Sequence, residues 1–496
     1  MFALLVFWSL PASAQEVLWS RTYGGSDFEY GWSVQQTTDG GYIVTGETGS
    51  FGAGGGDVYL IKTNSTGDTL WSRTYGGSDR DVGRSVQQTI DGGYIVAGFT
   101  YSFGAGDYND VYLIKTDSNG DTLWTRTYGG SNYDQGYSVQ QTTDGGYIVA
   151  GETYSFGAGL NDVYLIKTNS TGDTLWTRTY GTDTYEHGYS VQQTTDGGYI
   201  VVGWMYNYPY DDLYLIKTDY YGDTLWTRIY EGSGNDRGYS VRQTADGGYI
   251  VTGTTDSFGA GGCDAWLIKA TSTGGIQWTR TYGGSEWDGA NSIQQTTDGG
   301  FIVTGYTYSF GARDVYLIKI NSIGDTLWSR IYGGGDDEGV SVQQTIDGGY
   351  IVTGRTSTYG AGSYDVMLTK LDSQGSTCIG EFVSSTVMSV YPTVTVPATV
   401  VTSPSLVVIS PTETVTSPAT VVTTVCIVVC GDCNGDGMTN IADVVCKINY
   451  IFLGVPLPCP PEVVDHNGDG LVNVADIVAE INYLFLRVPL GCPLLK

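Results

Sequence analysis

Apolar and polar positions alternate in short runs along most of this chain, and the runs recur in a fixed order. Residues 70–122, LWSRTYGGSDRDVGRSVQQTIDGGYIVAGFTYSFGAGDYNDVYLIKTDSNGDT, hold one full cycle. Four stretches in each cycle have alternating, β-branched or aromatic character and are bounded by Gly and Asp turns. They are SVQQT (strand a), GYIVTG (b), DVYLIKT (c) and LWSRTY (d). The marker tryptophans Trp19, Trp71, Trp124, Trp176, Trp226, Trp278 and Trp328 stand 50 to 53 residues apart. Four strand signals at that period predict an all-β fold, a seven-bladed β-propeller.

The a-to-b turn reads T-D-G-G (Thr143 to Gly146) and the c-to-d turn S-N-G-D or S-T-G-D. Both are hairpin turns in which Gly supplies positive φ, so they predict one near-invariant face. The first LW strand (Leu18 to Tyr23) precedes the first a strand, and no LW strand follows Asp365 to Lys370. The N-terminal strand is therefore expected to complete the last blade and close a ring over residues 16–377, removing exposed edges. Each marker Trp is expected to wedge between blades; fully burying roughly 150 to 250 Å² is worth roughly 4 to 6 kcal/mol as an upper bound.

The segment Lys115 to Arg126, KTDSNGDTLWTR, resembles the tryptophan-docking repeat of quinoprotein-like propellers, and more loosely the Asp-box of sialidases. The resemblance covers about residues 16 to 375 as a blade pattern. It implies no active site, because the quinoprotein cofactor is held by residues outside this motif and none of them is matched here.

If a-to-b and c-to-d turns share one face, the d-to-a and b-to-c loops share the other, and these are the parts that vary. The d-to-a stretches read GGSDFEYGW, GGSDRDVGR, GGSNYDQGY, GTDTYEHGY, EGSGNDRGY, GGSEWDGAN and GGGDDEGV. The residue after the strand-b glycine is Glu47, Phe99, Glu152, Trp204, Thr254, Tyr306 or Arg355. Diverged loops on a constant scaffold mark a candidate ligand face, although solvated loops also diverge by drift. The fourth copy departs most, with Trp204, Tyr206, Tyr208 and Tyr210 offering flat faces to sugar rings and Asp183, Glu186 and Asp211 nearby as acceptors. These aromatics are equally expected to cover the rim or pack on one another. The two histidines, His187 in a loop and His466 in the tail, exclude a Ser-His-Asp triad and a three-histidine zinc site. Catalytic residues are not assigned, and so many acids line the loops that no glycosidase pair is distinguished.

Composition adds context. Among 496 residues there are 73 Gly and 39 Tyr, as suits short strands and tight turns. The net charge of −29 disfavours nucleic acid and anionic membranes as partners. It reads as solubility or cation binding. Residues 1–14, with the apolar run FALLVFWSL before Ala12-Ser13-Ala14, read as a secretory signal peptide lacking a basic n-region. No later run is long enough to span a bilayer. A secreted or cell-surface protein is expected. Seven of the eight cysteines lie from Cys378 onward and suggest disulfides of unassigned connectivity, while Cys263 stands alone in the repeats.

Residues 378–429 are rich in Thr, Val, Ser and Pro, with Pro397, Pro404, Pro411 and Pro418 seven apart. They read as an extended spacer or, alternatively, a small β module. In the tail, 430–496, Asp432, Asn434, Asp436, Asn440 and Asp443 occupy places 1, 3, 5, 9 and 12 of a calcium loop, with the carbonyl of Met438 at place 7. Asp465, Asn467, Asp469, Leu471, Asn473 and Asp476 repeat the set 33 residues later. Each loop precedes an apolar helical stretch, VVCKINYIFLG or IVAEINYLFLR, so two Ca²⁺ ions are expected.

This duplicated unit resembles a type I dockerin over about Cys430 to Cys492, which implies attachment to a cohesin-bearing scaffold, in cellulosomes one that carries polysaccharide-degrading enzymes. It departs from the familiar pattern where Ile441-Ala442 and Val474-Ala475 replace a polar pair at places 10 and 11. The leading expectation is a non-catalytic binding or display component, with carbohydrate as a candidate ligand. The alternative is a polysaccharide-degrading glycoside hydrolase docked to cohesin. Calcium should be linked to folding of the tail: the circular-dichroism spectrum of residues 426–496 should lose helical signal on chelation, and an unchanged spectrum would refute the assignment.

Overall fold

The computed structural model describes residues 18–377, together with the backbone of short strands between 381 and 428. The expected signal peptide and both expected calcium loops lie outside the described residues. Residues Trp19–Cys426 cluster as one compact unit built from seven antiparallel sheets radiating from a common axis. In the first blade strand a is Glu29–Gln36, b is Tyr42–Thr48, c is Asp57–Thr63 and d is Thr69–Gly76, from the axis outwards. The N-terminal strand Leu18–Gly24 pairs antiparallel with Asp365–Leu371, placing Trp19 opposite Lys370 and Tyr23 opposite Val366. The ring is thus closed as the order of copies predicts.

Strand a is longer than SVQQT and begins four residues earlier, in stretches expected as loop. Its register against strand b slips by one residue in every blade, for example between Gly31 and Ser33 and between Gly188 and Ser190. His187, expected in a loop, therefore lies in strand Glu186–Gln193.

The tryptophans bridge neighbouring blades through ring contacts, such as Trp71 to Tyr94 at 5.7 Å and Trp124 to Tyr147 at 5.9 Å. Only Trp19 of the seven is fully buried, so the full-burial value is too large for the other six. The enclosed group is the strand-d tyrosine. Tyr75 donates its hydroxyl to Gly120 O of the next blade at 2.6 Å, and Tyr23, Tyr128 and Tyr180 do the same to Gly67, Gly172 and Gly222 at 2.6 Å. Gly120 turns with φ of 79°, and a Cβ there would fall 2.8 Å from the Trp71 ring. The invariant glycine thus permits the turn and makes room for tryptophan.

Two repeated carboxylate arrangements have opposite electrostatics. In the a-to-b turn, Asp39 accepts from Thr37 Oγ1 at 2.5 Å, Gly41 N at 3.0 Å and the strand-c Lys62 Nζ at 3.1 Å. Burial pushes its carboxyl up, but these hydrogen bonds outweigh burial and hold it at about 2. At the opposite strand ends, buried acids of adjacent blades face each other, as Asp162 does Glu186. A Cβ on Gly181 would lie 2.1 Å from Asp162 Oδ1 and 2.6 Å from Glu186 Oε2. Burial, then the charge of Glu186, raises Asp162 to about 7; burial, then the charge of Asp134, raises Asp110 to about 7 against a hydrogen bond from Ala105 N.

Residues 381–428 contribute seven short strands, each added outside a strand d. Successive pairings join Glu381 to Ile331, Met388 to Thr281, Thr395 to Ile229, Thr402 to Thr179, Ile409 to Thr127 and Thr416 to Thr74. The segment advances seven residues per blade and visits the blades in reverse chain order. The proline spacing is this same step of seven residues.

Deleting residues 15–25 removes the strand that completes the last blade and should lower the melting temperature; an unchanged value would sink the closure model. Depressed carboxyls such as Asp39 make the unfolded state bind more protons between about pH 2 and 4, so stability rises with pH there. Raised carboxyls such as Asp110 and Asp162 make the folded state bind more between about pH 4 and 7, so stability falls. The propeller melting temperature should peak near about pH 4 to 5 and fall toward pH 8. Asp162→Asn should flatten part of that fall, and a flat profile from pH 5 to 8 would contradict it.

Candidate functional site

The slip in strand a leaves one residue per blade outside the ladder, and a β-bulge re-aims the side chain it releases. The bulged positions are Trp32, Arg84, Tyr137, Tyr189, Tyr239, Asn291 and Val340. All seven, with Glu338, line one cavity of about 400 Å³ at the mouth of the axis. They are the last letter of each d-to-a stretch read above. Sequence reasoning treated those stretches as loops and so missed the ring; the signal was the variable residue between an almost constant Gly and Ser.

The ring is mainly aromatic and internally packed. Tyr137 lies 4.9 Å from Tyr189, which meets Tyr239 edge-on at 5.4 Å. The Arg84 guanidinium stacks 3.9 Å from the Trp32 ring and sits 5.9 Å from Tyr137. No carboxylate pairs with Arg84 among the described residues, and its buried Nε lacks a hydrogen-bond partner. Burial pushes its pKa below the ordinary arginine value. Glu338, the one carboxylate in the lining, is already held by Arg313 at 2.8 Å and Arg355 at 3.2 Å, and accepts from Asn291 Nδ2 at 2.9 Å.

The residues after the strand-b glycine form a layer behind this ring. Glu47 is fully buried and takes both Arg80 Nε at 2.6 Å and Arg80 Nη2 at 2.8 Å. Phe99 is buried against Arg80 and Arg84. Glu152 accepts from Tyr137 Oη at 3.0 Å and Asn161 Nδ2 at 3.2 Å and contacts His187 Nδ1. Thr254 is buried. Tyr306 packs under Arg313 at 4.7 Å, and Arg355 lies over Tyr30 and Tyr364 at 5.3 and 5.2 Å.

The four aromatics of the fourth copy do not make one platform. Trp204 stacks on His187 at 3.9 Å and donates Nε1 to the ring member Tyr189 at 3.4 Å. The hairpin pairs Asn207 with Tyr210, so Tyr210 falls on the face opposite Trp204 and Tyr206. Tyr208 at the tip is 84% exposed. Of the nearby acids, Asp211 pairs with Arg237, and Glu186 is buried and accepts from Thr182 and Thr184. Cys263 is a buried free thiol.

No helix of the described residues is long and apolar enough to cross a membrane. Chaetomium thermophilum Sqt1 aligns at 11% identity, with 69% of this chain and 83% of that one covered and a TM-score of 0.40. Thermotoga petrophila endo-1,5-alpha-L-arabinanase aligns at 12% identity over 70% of this chain and all of its own, with a TM-score of 0.27. A stretch of 138 residues is 28% identical to regulatory protein FlaEY of Caulobacter vibrioides, covering 25% of this chain. The chain spans 14% of that relative's length. Outside the propeller, residues 430–485 match the dockerin type I domain family, so this chain joins a seven-bladed β-propeller to a dockerin domain.

Proposed function

We propose that this is an exported, non-catalytic binding component, anchored by its dockerin domain to a cohesin-bearing scaffold and presenting the propeller mouth to carbohydrate. The observation that carries the reading is the ring of bulged residues. A blade-by-blade choice of Trp, Tyr, Arg, Asn or Val varies the mouth while the ladder beneath stays constant. Flat rings beside hydrogen-bonding groups suit pyranose faces, whose axial C–H bonds pack on aromatics while hydroxyls need polar partners. Arg84, with no carboxylate of its own, favours glycans that carry an acidic group.

A retaining or inverting glycosidase needs two carboxyls flanking the scissile bond. The mouth offers Glu338, neutralised by two arginines, and the acids of the layer behind are engaged by Arg80 and by His187 and Tyr137. Binding is therefore favoured over hydrolysis. In the dockerin domain, the ligands at Asp432 to Asp443 and Asp465 to Asp476 would hold two Ca²⁺ ions and couple scaffold docking to calcium.

The test is a glycan array probed with the full chain, followed by calorimetry on the strongest ligand. Trp32→Ala should weaken binding about tenfold, the loss of one well-packed aromatic contact. Release of new reducing ends from a bound glycan, abolished by Glu338→Gln, would replace this reading with the hydrolase.

A further inference from the structure

Deeper along the axis, below the mouth, strand a contributes a second ring whose chemistry is different. One glutamine per blade, at Gln35, Gln87, Gln140, Gln192, Gln294 and Gln343, lines an axial cavity of about 230 Å³, and in the fifth blade Arg242 takes the glutamine's place. Each glutamine is oriented by a bond it cannot reverse. Gln35 Oε1 accepts Gln88 N of the next blade at 2.6 Å, Gln140 Oε1 accepts Gln193 N at 2.6 Å and Gln294 Oε1 accepts Gln344 N at 2.5 Å. A backbone N–H only donates, so the oxygen must face it, and the NH₂ group is the end left over. None of these six NH₂ groups has a hydrogen-bond partner among the described residues.

The serines one turn of the pleat away add to this. Ser85 Oγ accepts Val139 N at 3.2 Å and Ser138 Oγ accepts Val191 N at 3.2 Å, which leaves their hydroxyl protons to be donated. Arg242 uses Nη1 on Val241 O at 2.8 Å and Ser190 Oγ at 3.4 Å, and no carboxylate pairs with it among the described residues. The side chains of this wall are thus a ring of donors with one formal positive charge, inside a protein whose net charge is −29. Donor groups that converge on the channel without protein acceptors are left to water or to an anion, and an arginine without a counter-charge favours the anion. An anion satisfies both.

We infer that the axial channel is a binding site for a small monovalent anion, held by Arg242 and the ring of glutamine amides. The substitution that created the site also broke the ladder. With arginine at this place, Gln295 N of the sixth blade lacks the glutamine acceptor that its six counterparts have. The scaffold loses one hydrogen bond, and the channel acquires its single charge.

The probe is chloride, followed through the NMR linewidth of the free ion exchanging with the full-length protein at constant ionic strength. Wild-type protein should broaden the chloride signal saturably. Arg242→Gln, which restores the residue of the other six blades and should fold at least as stably, should bind about tenfold more weakly, the loss of one charge-assisted donor. Arg242→Lys should retain binding, and Arg242→Met supplies a second neutral variant should the glutamine form fold poorly. Bromide soaked into crystals should give an anomalous peak within hydrogen-bond reach of Arg242. Equal broadening by wild type and both neutral variants, or an axial cavity holding water only, would overturn the assignment.

Discussion

The hydrogen bond from each strand-d tyrosine to the turn glycine of the next blade is the constraint on which this architecture rests. It is fully buried and directional, and it reaches across the gap between sheets, alongside backbone bonds at the opposite strand ends such as Glu186 N to Asn161 O at 2.8 Å. The donor is enclosed, as at Tyr75, and the acceptor is the carbonyl of a residue held in positive φ, as at Gly120. A buried hydroxyl without this partner would carry a desolvation cost of about 1 to 3 kcal/mol, so the bond penalises any displacement of one blade against the next. Trp71 and its counterparts pack over the same glycines, which is why turn, tyrosine and tryptophan recur together. The interaction is cyclic, and it reaches the last interface only because Leu18–Gly24 is built into the sheet of Asp365–Leu371.

Rigidity at the periphery frees the axis to vary. The bulge in strand a takes one residue per blade out of the ladder, so exchanging Trp32 for Arg84 or Val340 between copies costs the sheet no hydrogen bond. The position behind it is less free, since Glu47, Glu152 and Arg355 each need a partner of opposite charge or a hydrogen-bond donor nearby. Deeper still, the glutamine ring is nearly invariant because each side chain orients the backbone of its neighbour. Arg242 is the exception in that layer.

The outer edges of the blades pose the problem common to all sheets, a row of unpaired backbone groups that can recruit other chains. Here strands from residues 381–428 pair with those edges, one blade per seven residues. The same segment leads toward the dockerin domain at 430–485.

Much of the fold was legible from residues alone. The period of the tryptophans, the alternation of four strands and the misplaced first LW strand determined the blade number and the closure, because these are local patterns that repeat. The dockerin domain matched at residues 430–485 was legible for the same reason. What only the tertiary structure decided was which side chains meet. A one-residue slip between Gly188 and Ser190 reverses the alternation that sequence reasoning relies on, so Tyr189 enters the mouth while Trp204 stands behind it. The pairing of Asn207 with Tyr210 separates aromatics that are adjacent in sequence. The partners of Gln140 and Arg242 lie some fifty residues away, Gln193 in the next blade and Ser190 in the preceding one, and no local pattern reports a hydrogen bond that only the packing of neighbouring blades creates.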